Sequence, residues 1–195
     1  MGFTQLRSRL LATAERAIRE SFSKDEIIIE AVNGISDIDK AINLLDERIA
    51  SWKSILSGAK ISNSDIGITH QFEETLTNLA SYRKNVTAYM TKLCEEIAPK
   101  TTALAGAVIT ARLIAAAGGL RRLAFLPAST IQVLGAREAV LRHVKTGEKS
   151  PKHGIIFAHP SINKALRTDR GKRARALASK LAVAARMDYF RQRSP

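Results

Sequence analysis

Between residues 24 and 57 the apolar positions fall at Ile28, Val32, Ile35, Ile38, Ile42, Leu45, Ile49, Trp52 and Leu56. The steps alternate between three and four residues, which is the spacing of a coiled-coil seam. A second run carries Ile68, Phe72, Leu76, Leu79, Val86, Met90, Leu93 and Ile97, at steps of mostly three, four or seven. Gly58 through Asp65 reads as a turn between them. The pattern therefore predicts two long antiparallel helices in a hairpin, ended by Pro99. Ahead of the hairpin, residues 4–21 predict a helix with Leu6, Leu10, Ala14, Ala17 and Ile18 on one side. Ser23 stands three residues before Glu26, the spacing of a reciprocal helix cap.

The pattern changes after Pro99. Thr101 or Thr102 is placed to cap a helix running to Ala117, rich in alanine, with Gly106 allowing close helix approach. Gly118-Gly119 stops it. Leu120 to Leu126 predicts a short helix ended by Pro127, and residues 128–144 one or two more around Gly135. Lys145 to Pro160 is mainly loop, marked by Thr146-Gly147, Ser150-Pro151 and His153-Gly154. Within it, Ile155-Ile156-Phe157 is either a brief extended segment or the part that anchors in the core. A last helix spans roughly 169–190. No alternating strand pattern emerges, so the expected fold is all-α: a hairpin unit over 1–98 and a compact helical unit over 99–195.

Charge sharpens that division. The chain of 195 residues carries a net charge of +13. Residues 1–98 hold 12 Lys and Arg against 14 Asp and Glu, whereas residues 99–195 hold 19 against 4. The second half is thus expected to meet a polyanion, and the first to do something else. On the last helix, at about 100° per residue, Lys172, Arg175 and Arg186 fall on one side with Ser179 between them. Ala174, Leu177, Ala178, Leu181 and Ala185 lie opposite, and Arg173 and Lys180 flank the apolar stripe. Its only acids, Asp169 and Asp188, sit at the ends. A face of one sign repels itself, and such a face suits an anionic ligand such as a phosphate backbone. The preceding loop adds Lys145, Lys149, Lys152 and His153. Lysines on a loop shaped by Gly and Pro suit phosphate contact, and a histidine there suits stacking on a base or bonding to a phosphate. A flexible solvated loop is the equal alternative.

Other chemistries find little support. His143, His153 and His159 lack nearby partners, and Cys94 sits in an apolar helical pattern, so no metal site is expected. Cys94 reads as a reduced core residue, which fits a cytoplasmic location, or a nuclear one in a eukaryote. No catalytic acid pair, nucleophile motif or phosphate-cradling glycine loop is present, so neither an enzyme nor a cofactor is expected. Arg7, Arg9, Glu15 and Arg16 interrupt the N-terminal apolar positions, against a signal peptide. Arg112 cuts the run Ala103 to Ala117, too short and polar for a membrane span.

Several stretches in order resemble the Nop domain. They are Glu-Glu-Ile-Ala-Pro at 95–99, Ala-Arg-Leu-Ile at 111–114, Ala-Gly-Gly-Leu-Arg-Arg-Leu-Ala at 117–124 and Pro-Ala-Ser-Thr-Ile-Gln-Val-Leu-Gly-Ala at 127–136. Pro-Lys-His-Gly-Ile-Ile-Phe at 151–157 and the basic stretch 170–186 complete the set, and Asp-Ile-Asp-Lys-Ala-Ile-Asn-Leu-Leu at 37–45 is similar to the coiled coil that precedes the domain. The resemblance is to the scaffold proteins of box C/D and spliceosomal ribonucleoproteins. It implies recognition of a composite surface: a kink-turn RNA with a small ribosomal-protein-like kink-turn-binding protein already seated on it. By the same resemblance Lys152, His153, Arg170, Lys172, Arg175 and Arg186 face RNA. Residues 135–142 match a family motif near the RNA, where Arg137-Glu138 replaces the family's Glu-Lys pair; Arg137 and Arg142 are weaker candidates there.

The family's dimerisation at the hairpin tip goes with a longer insertion near residues 58–66, so a homodimer through the coiled coil stays open. The chain begins where the family's coiled-coil region begins, and the resemblance implies no recruitment of the methyltransferase fibrillarin by these residues alone. Two rivals remain on the residues themselves. One is a charge-driven binder of any nucleic acid; the other is a coiled-coil oligomerisation module.

Overall fold

The computed structural model describes residues 3–21, 23–58, 63–147 and 149–192, with the backbone alone for 3, 4, 15–21, 58, 63–66 and 138. All regular structure among them is helical. Helix α1 is Phe3–Ser21, α2 Lys24–Gly58 and α3 Asn63–Ile97. Ala17 and Ile18, expected on the apolar side of α1, are among the residues whose side chains lie outside the description.

The hairpin forms as its periodicity predicts. Lys24 pairs with Glu96, Asp39 with Arg83 and Lys53 with Glu73, so the two helices run antiparallel in one register. Trp52 and Phe72 meet edge to face at 5.0 Å between ring centres. Exposed ion pairs of this kind contribute at most about 1 kcal/mol each; the apolar seam holds the pair. That seam is closed at the base, where Ile28 is 0% exposed, and open at the tip, where Trp52 is 40% exposed. The turn is shorter than expected, because α3 already starts at Asn63. Asn, Ser and Asp at 63–65 read as turn formers, yet these residue types are also the ones that favour a helix start.

The segment after Pro99 departs from the single helix expected there. It is two helices, α4 (Pro99–Ala105) and α5 (Ala107–Ala117), bent by 118° at Gly106. Gly106 has φ +80°, which only glycine adopts cheaply. A Cβ there would meet nothing within 4 Å, so this glycine serves the bend and not a close helix approach. The start of α4 is capped from the far end of the chain. Asp188 is 0% exposed. Its carboxyl oxygens accept from the Lys100 N–H at 3.1 Å, the Thr101 N–H at 2.8 Å and the Thr101 hydroxyl at 2.7 Å. Thr101 thus donates to a distant acid instead of capping the helix itself.

Gly118 and Gly119 stop α5 as expected, closing back onto Ala115 and Ile114. Helices α6 (Leu120–Phe125), α7 (Ala128–Val133) and α8 (Arg137–Thr146) follow. Asp25 of α2 accepts from the Leu120 N–H at 2.8 Å and so caps α6. Ile155–Ala158 forms a 3-10 turn with Ile156 fully buried, which is the anchoring alternative and not the extended one. A short α9 (Pro160–Asn163), not expected from the pattern, starts where the His159 ring accepts from the Ser161 N–H. The last helix, α10 (Arg170–Arg191), packs on α4, α6 and α7.

One aliphatic core joins these pieces. Ile28, Met90, Leu93 and Ile97 from the hairpin base pack with Leu113 and Ile114 of α5, Leu123 of α6 and the inner side of α10. Cys94 is fully buried among them, and burial pushes its thiol up to about 11. It is therefore a core residue. No single helix among the described residues is long and apolar enough to cross a membrane.

Replacing Asp188 by Ala strands the buried N–H and hydroxyl of Thr101 and the part-buried N–H of Lys100. The expected loss is about 2–4 kcal/mol of unfolding free energy, measured by urea titration followed by circular dichroism. A loss under about 0.5 kcal/mol would show that the cap is dispensable.

Candidate nucleic-acid interface

The basic surface is built on α10. Ala174, Leu177, Ala178, Leu181 and Ala185 are buried, and Lys172, Arg173, Arg175 and Lys180 stand exposed on the other side. The inward set is the one expected from the sequence. The first turn of α10 holds no acid and carries Arg170, Lys172 and Arg173. A helix start carries a partial positive charge, which here adds to these cations, while exposed Asp169 at the N-cap offsets part of it.

The Pro-Lys-His-Gly loop is seated firmly against α7 and the residues after it. The Gln132 side-chain amide donates to the Lys152 carbonyl at 2.7 Å, and the Gly154 N–H to the Gln132 carbonyl at 2.9 Å. The Ile155 N–H donates to the Leu134 carbonyl at 2.8 Å. Any Cβ at residue 154 would stand 2.0 Å from the Leu134 carbonyl oxygen, so the seat accepts glycine alone. Residues 151–154 are thus a fixed structure, not a freely solvated loop.

The seat brings the predicted residues together. Lys152 lies across the start of α10, its Cδ 3.7 Å from where a Cβ on Gly171 would be. The His153 ring stacks on Phe157 at 4.4 Å with 17° between planes. The Arg170 guanidinium stands 5.4 Å from the centre of the same Phe157 ring. Arg170 also donates to the carbonyls of Ala165 at 3.1 Å and Asn163 at 3.3 Å, so much of its donor capacity is spent holding the turn before α10. Arg173 donates to the Ser161 carbonyl at 3.3 Å. Lys172, Arg175 and Lys180 are exposed; within α10 the one acid, Asp188, is buried, and exposed Asp169 stands at the N-cap.

Burial lowers the pKa of His153, and the nearby Arg170 and Lys152 charges add to that effect; a backbone hydrogen bond of its own opposes it. The imidazole is therefore neutral at pH 7. Its chemistry is stacking and hydrogen bonding, while charge comes from its neighbours. The four ion pairs among the described residues all lie between residues 24 and 96. The second half stays net positive, with 19 Lys and Arg against 4 Asp and Glu.

Other predicted residues lie elsewhere. Arg186 points to the same side of α10 as Lys172 but sits about 21 Å further along the axis at 1.5 Å per residue. There it donates to the Ala124 carbonyl at 3.1 Å. Arg137, Arg142 and Lys145 ride on α8, whose residues from Leu141 to Gly147 are all exposed, and Lys149 is exposed just beyond it. Three positioning residues, Gln132, Gly154 and Phe157, were not legible as such. Phe157 had one signal, its place four residues after His153.

Comparison with known proteins bears on this arrangement. The family model described as "Nop: snoRNA binding domain, fibrillarin" matches residues 19–195. A NOP5 family protein of Methanocaldococcus jannaschii is 38% identical over 85% of this chain and 52% of its own length. Nucleolar protein 56 of Dictyostelium discoideum is 38% identical over 78% of this chain and 29% of its own. Nucleolar protein 58 of Coccidioides immitis is 43% identical over 67% and 22% respectively. The chain thus spans about half the length of the archaeal relative and under a third of the nucleolar ones. Among solved structures, a chain of a fibrillarin/Nop5p complex matches at a TM-score of 0.70 and 37% identity, covering 97% of this chain and 71% of that one.

The stack of His153 on Phe157 makes a pH prediction. A lowered pKa means that folding favours the neutral ring. The contribution is full above the ordinary value of 6.5 and is lost as pH falls through the folded value. An NMR titration of the His153 ring is expected to give a midpoint below 6.5, moving back toward it in Phe157→Ala. A midpoint at or above 6.5 in the parent protein would refute the half-buried, neutral ring.

Proposed function

This chain belongs to the Nop-domain family, and on that footing we propose that it is an RNA-binding scaffold of a box C/D-like ribonucleoprotein. It grips a kink-turn RNA together with the small protein already bound to that RNA. Residues 99–195 supply the RNA-binding unit, and the hairpin within residues 1–98 is its arm. The observation that carries the reading is the seat formed by Lys152, His153, Lys172 and Arg175. Backbone hydrogen bonds hold the loop, and along α10 the exposed cations outnumber the one exposed acid at its start, Asp169.

The physics divides the work. Lys152, Lys172 and Arg175 supply charge for phosphates. If each displaces one counterion, log affinity falls with log salt at a slope of about −3. The neutral His153 supplies a flat partner for a base or a hydrogen bond. Phosphate contacts carry no sequence information and cannot by themselves select one RNA. Selection comes from the shape of the kink and from the protein on it. The output of such a protein is an assembled particle, not a turnover.

A gel shift at about 150 mM salt tests the proposal, using a kink-turn RNA with and without its kink-turn-binding protein. A supershift is expected only when both are present, and Lys172→Glu with Arg175→Glu is expected to abolish it with helicity unchanged. Equal binding to naked RNA and to any duplex would favour the general charge-driven binder.

A second reading concerns the hairpin, and one observation favours it. Trp52, Ile55 and Ile68 near the tip are 40%, 65% and 45% exposed and, with Leu56, line a shallow apolar concavity. A second copy of the chain would bury this surface. Sedimentation at about 10 µM is expected to show a dimer that Ile55→Glu converts to monomer. A monomer throughout that range would remove the hairpin as an oligomerisation device.

A further inference from the structure

The basic side of α10 does not end at Lys180. Lys172 and Phe190 are 18 residues apart, five whole turns, so they share one side of the helix about 27 Å apart. Arg175, Ser179 and Arg186 lie along the same line. At its far end the line meets α6 in a cluster of exposed aromatic rings. Phe125 is 63% exposed and Phe190 53% exposed, with ring centres 6.3 Å apart at 76°. Buried Tyr189 braces both, at 5.8 Å from Phe125 and 5.2 Å from Phe190. Two phenylalanines held in fixed orientation with more than half of each exposed leave apolar area in contact with water.

Arginines surround them. Arg121 and Arg122 are exposed and, with Ala117, Phe125 and Leu126, line a concavity of about 360 Å³. Arg186 is fixed beside them by its bond to the Ala124 carbonyl. Three acids of the adjoining elements are engaged elsewhere: Asp25 with the Leu120 N–H, Asp188 with the start of α4, and Glu96 with Lys24. Fixed aromatic rings among exposed arginines form a stacking platform for bases with cations for the backbone. A protein partner would need an acidic rim fitted to the same patch. The continuity of the patch with the basic line along α10 favours nucleic acid.

We propose that Phe125 and Phe190, with Arg121, Arg122 and Arg186, form a second RNA site that stacks unpaired bases at the far end of α10. The proposal rests on the reading that the start of α10 meets RNA. A strand leaving Lys172 and Arg175 along the helix reaches the rings after about 27 Å, roughly eight nucleotides at a stacked rise of 3.4 Å. The bases must be unpaired, since only splayed bases offer a face to a side chain. The ligand is single-stranded RNA flanking the structured element.

The test uses the full chain and a single-stranded 5-bromouridine oligonucleotide of about 12 residues, which contains no kink-turn. Irradiation is expected to cross-link it to peptides holding Phe125 or Phe190. Phe125→Ala is expected to weaken oligonucleotide binding about tenfold, the effect of one lost stack. Arg121→Gln with Arg122→Gln, at exposed positions that leave the core intact, is expected to weaken it several-fold. Blunt kink-turn RNA with its kink-turn-binding protein seated on it is expected to bind all variants like the parent. Cross-links confined to residues 149–175, or unchanged oligonucleotide affinity in both variants, would overturn the second site. Loss of only the supershift with the kink-turn-binding protein would assign the patch to a protein partner, and would also overturn it. The oligonucleotide assay stands apart from the kink-turn assay, so either reading can fail alone.

Discussion

The small apolar side of α10 is the contact on which the rest depends. Ala174, Ala178, Ala182 and Ala185 are buried against neighbouring helices, with Leu177 and Leu181 filling the space between them. Alanine lets α4, α6 and α7 approach one helix from several directions. Each buried leucine contributes about 1.5–3 kcal/mol. Against this stands the repulsion among the cations on the other side. Two charges about 6 Å apart in water repel by only about 0.7 kcal/mol. Burial wins, so the fold tolerates a helix whose outer side has one sign. Fixing the inner side also fixes where every cation points.

The acids complete that arrangement by being used elsewhere. Asp25 and Asp188 could each have neutralised part of the basic half. Instead they cap α6 and α4 across the molecule, at 95 and 87 residues' separation along the chain. Each bond satisfies a helix-start N–H that would otherwise lie unpaired near the core. The same bonds remove negative charge from the outer surface. Stability and electrostatics are served by one placement. The capped ends also tie the hairpin base and α10 to the short helices between them, which is why a single core spans both halves of the chain.

Much of this was legible beforehand, and the boundary is physical. The hairpin and α10 were legible because a long helix repeats its burial every three or four residues, and chance does not sustain that over 20 residues or more. The stop at Gly118-Gly119 was legible because helix ends have local chemistry. The break at Gly106 was not. A glycine in an alanine-rich stretch suits a close approach as well as a bend, and the tertiary packing decides between them. Helix α9 is a single turn, too short for any period. The seat of His153 depends on Gln132 and Leu134, some 20 residues away, through two backbone carbonyls and one side-chain amide that no periodic pattern encodes. Arg186 shows the opposite case. Its angular position was correct, but angle alone does not give distance along an axis, and its partner on α6 could not be seen.

Charge and shape have different jobs in such a surface. A field of one sign raises the encounter rate and the affinity for any polyanion, and salt weakens all of these alike. It therefore cannot separate one RNA from another. Discrimination needs groups that hold still and fail to pair when the ligand is wrong. In this chain those groups are uncharged or already bonded: the Gly154 seat, the neutral His153 on Phe157, and Arg170 tied to Ala165 and Asn163. They occupy a small area beside the start of α10, enough to sense local shape and not enough to enclose a folded RNA. On the proposed reading, a second component seated on the RNA adds a further shape test, and two modest shape tests multiply where charge alone discriminates nothing.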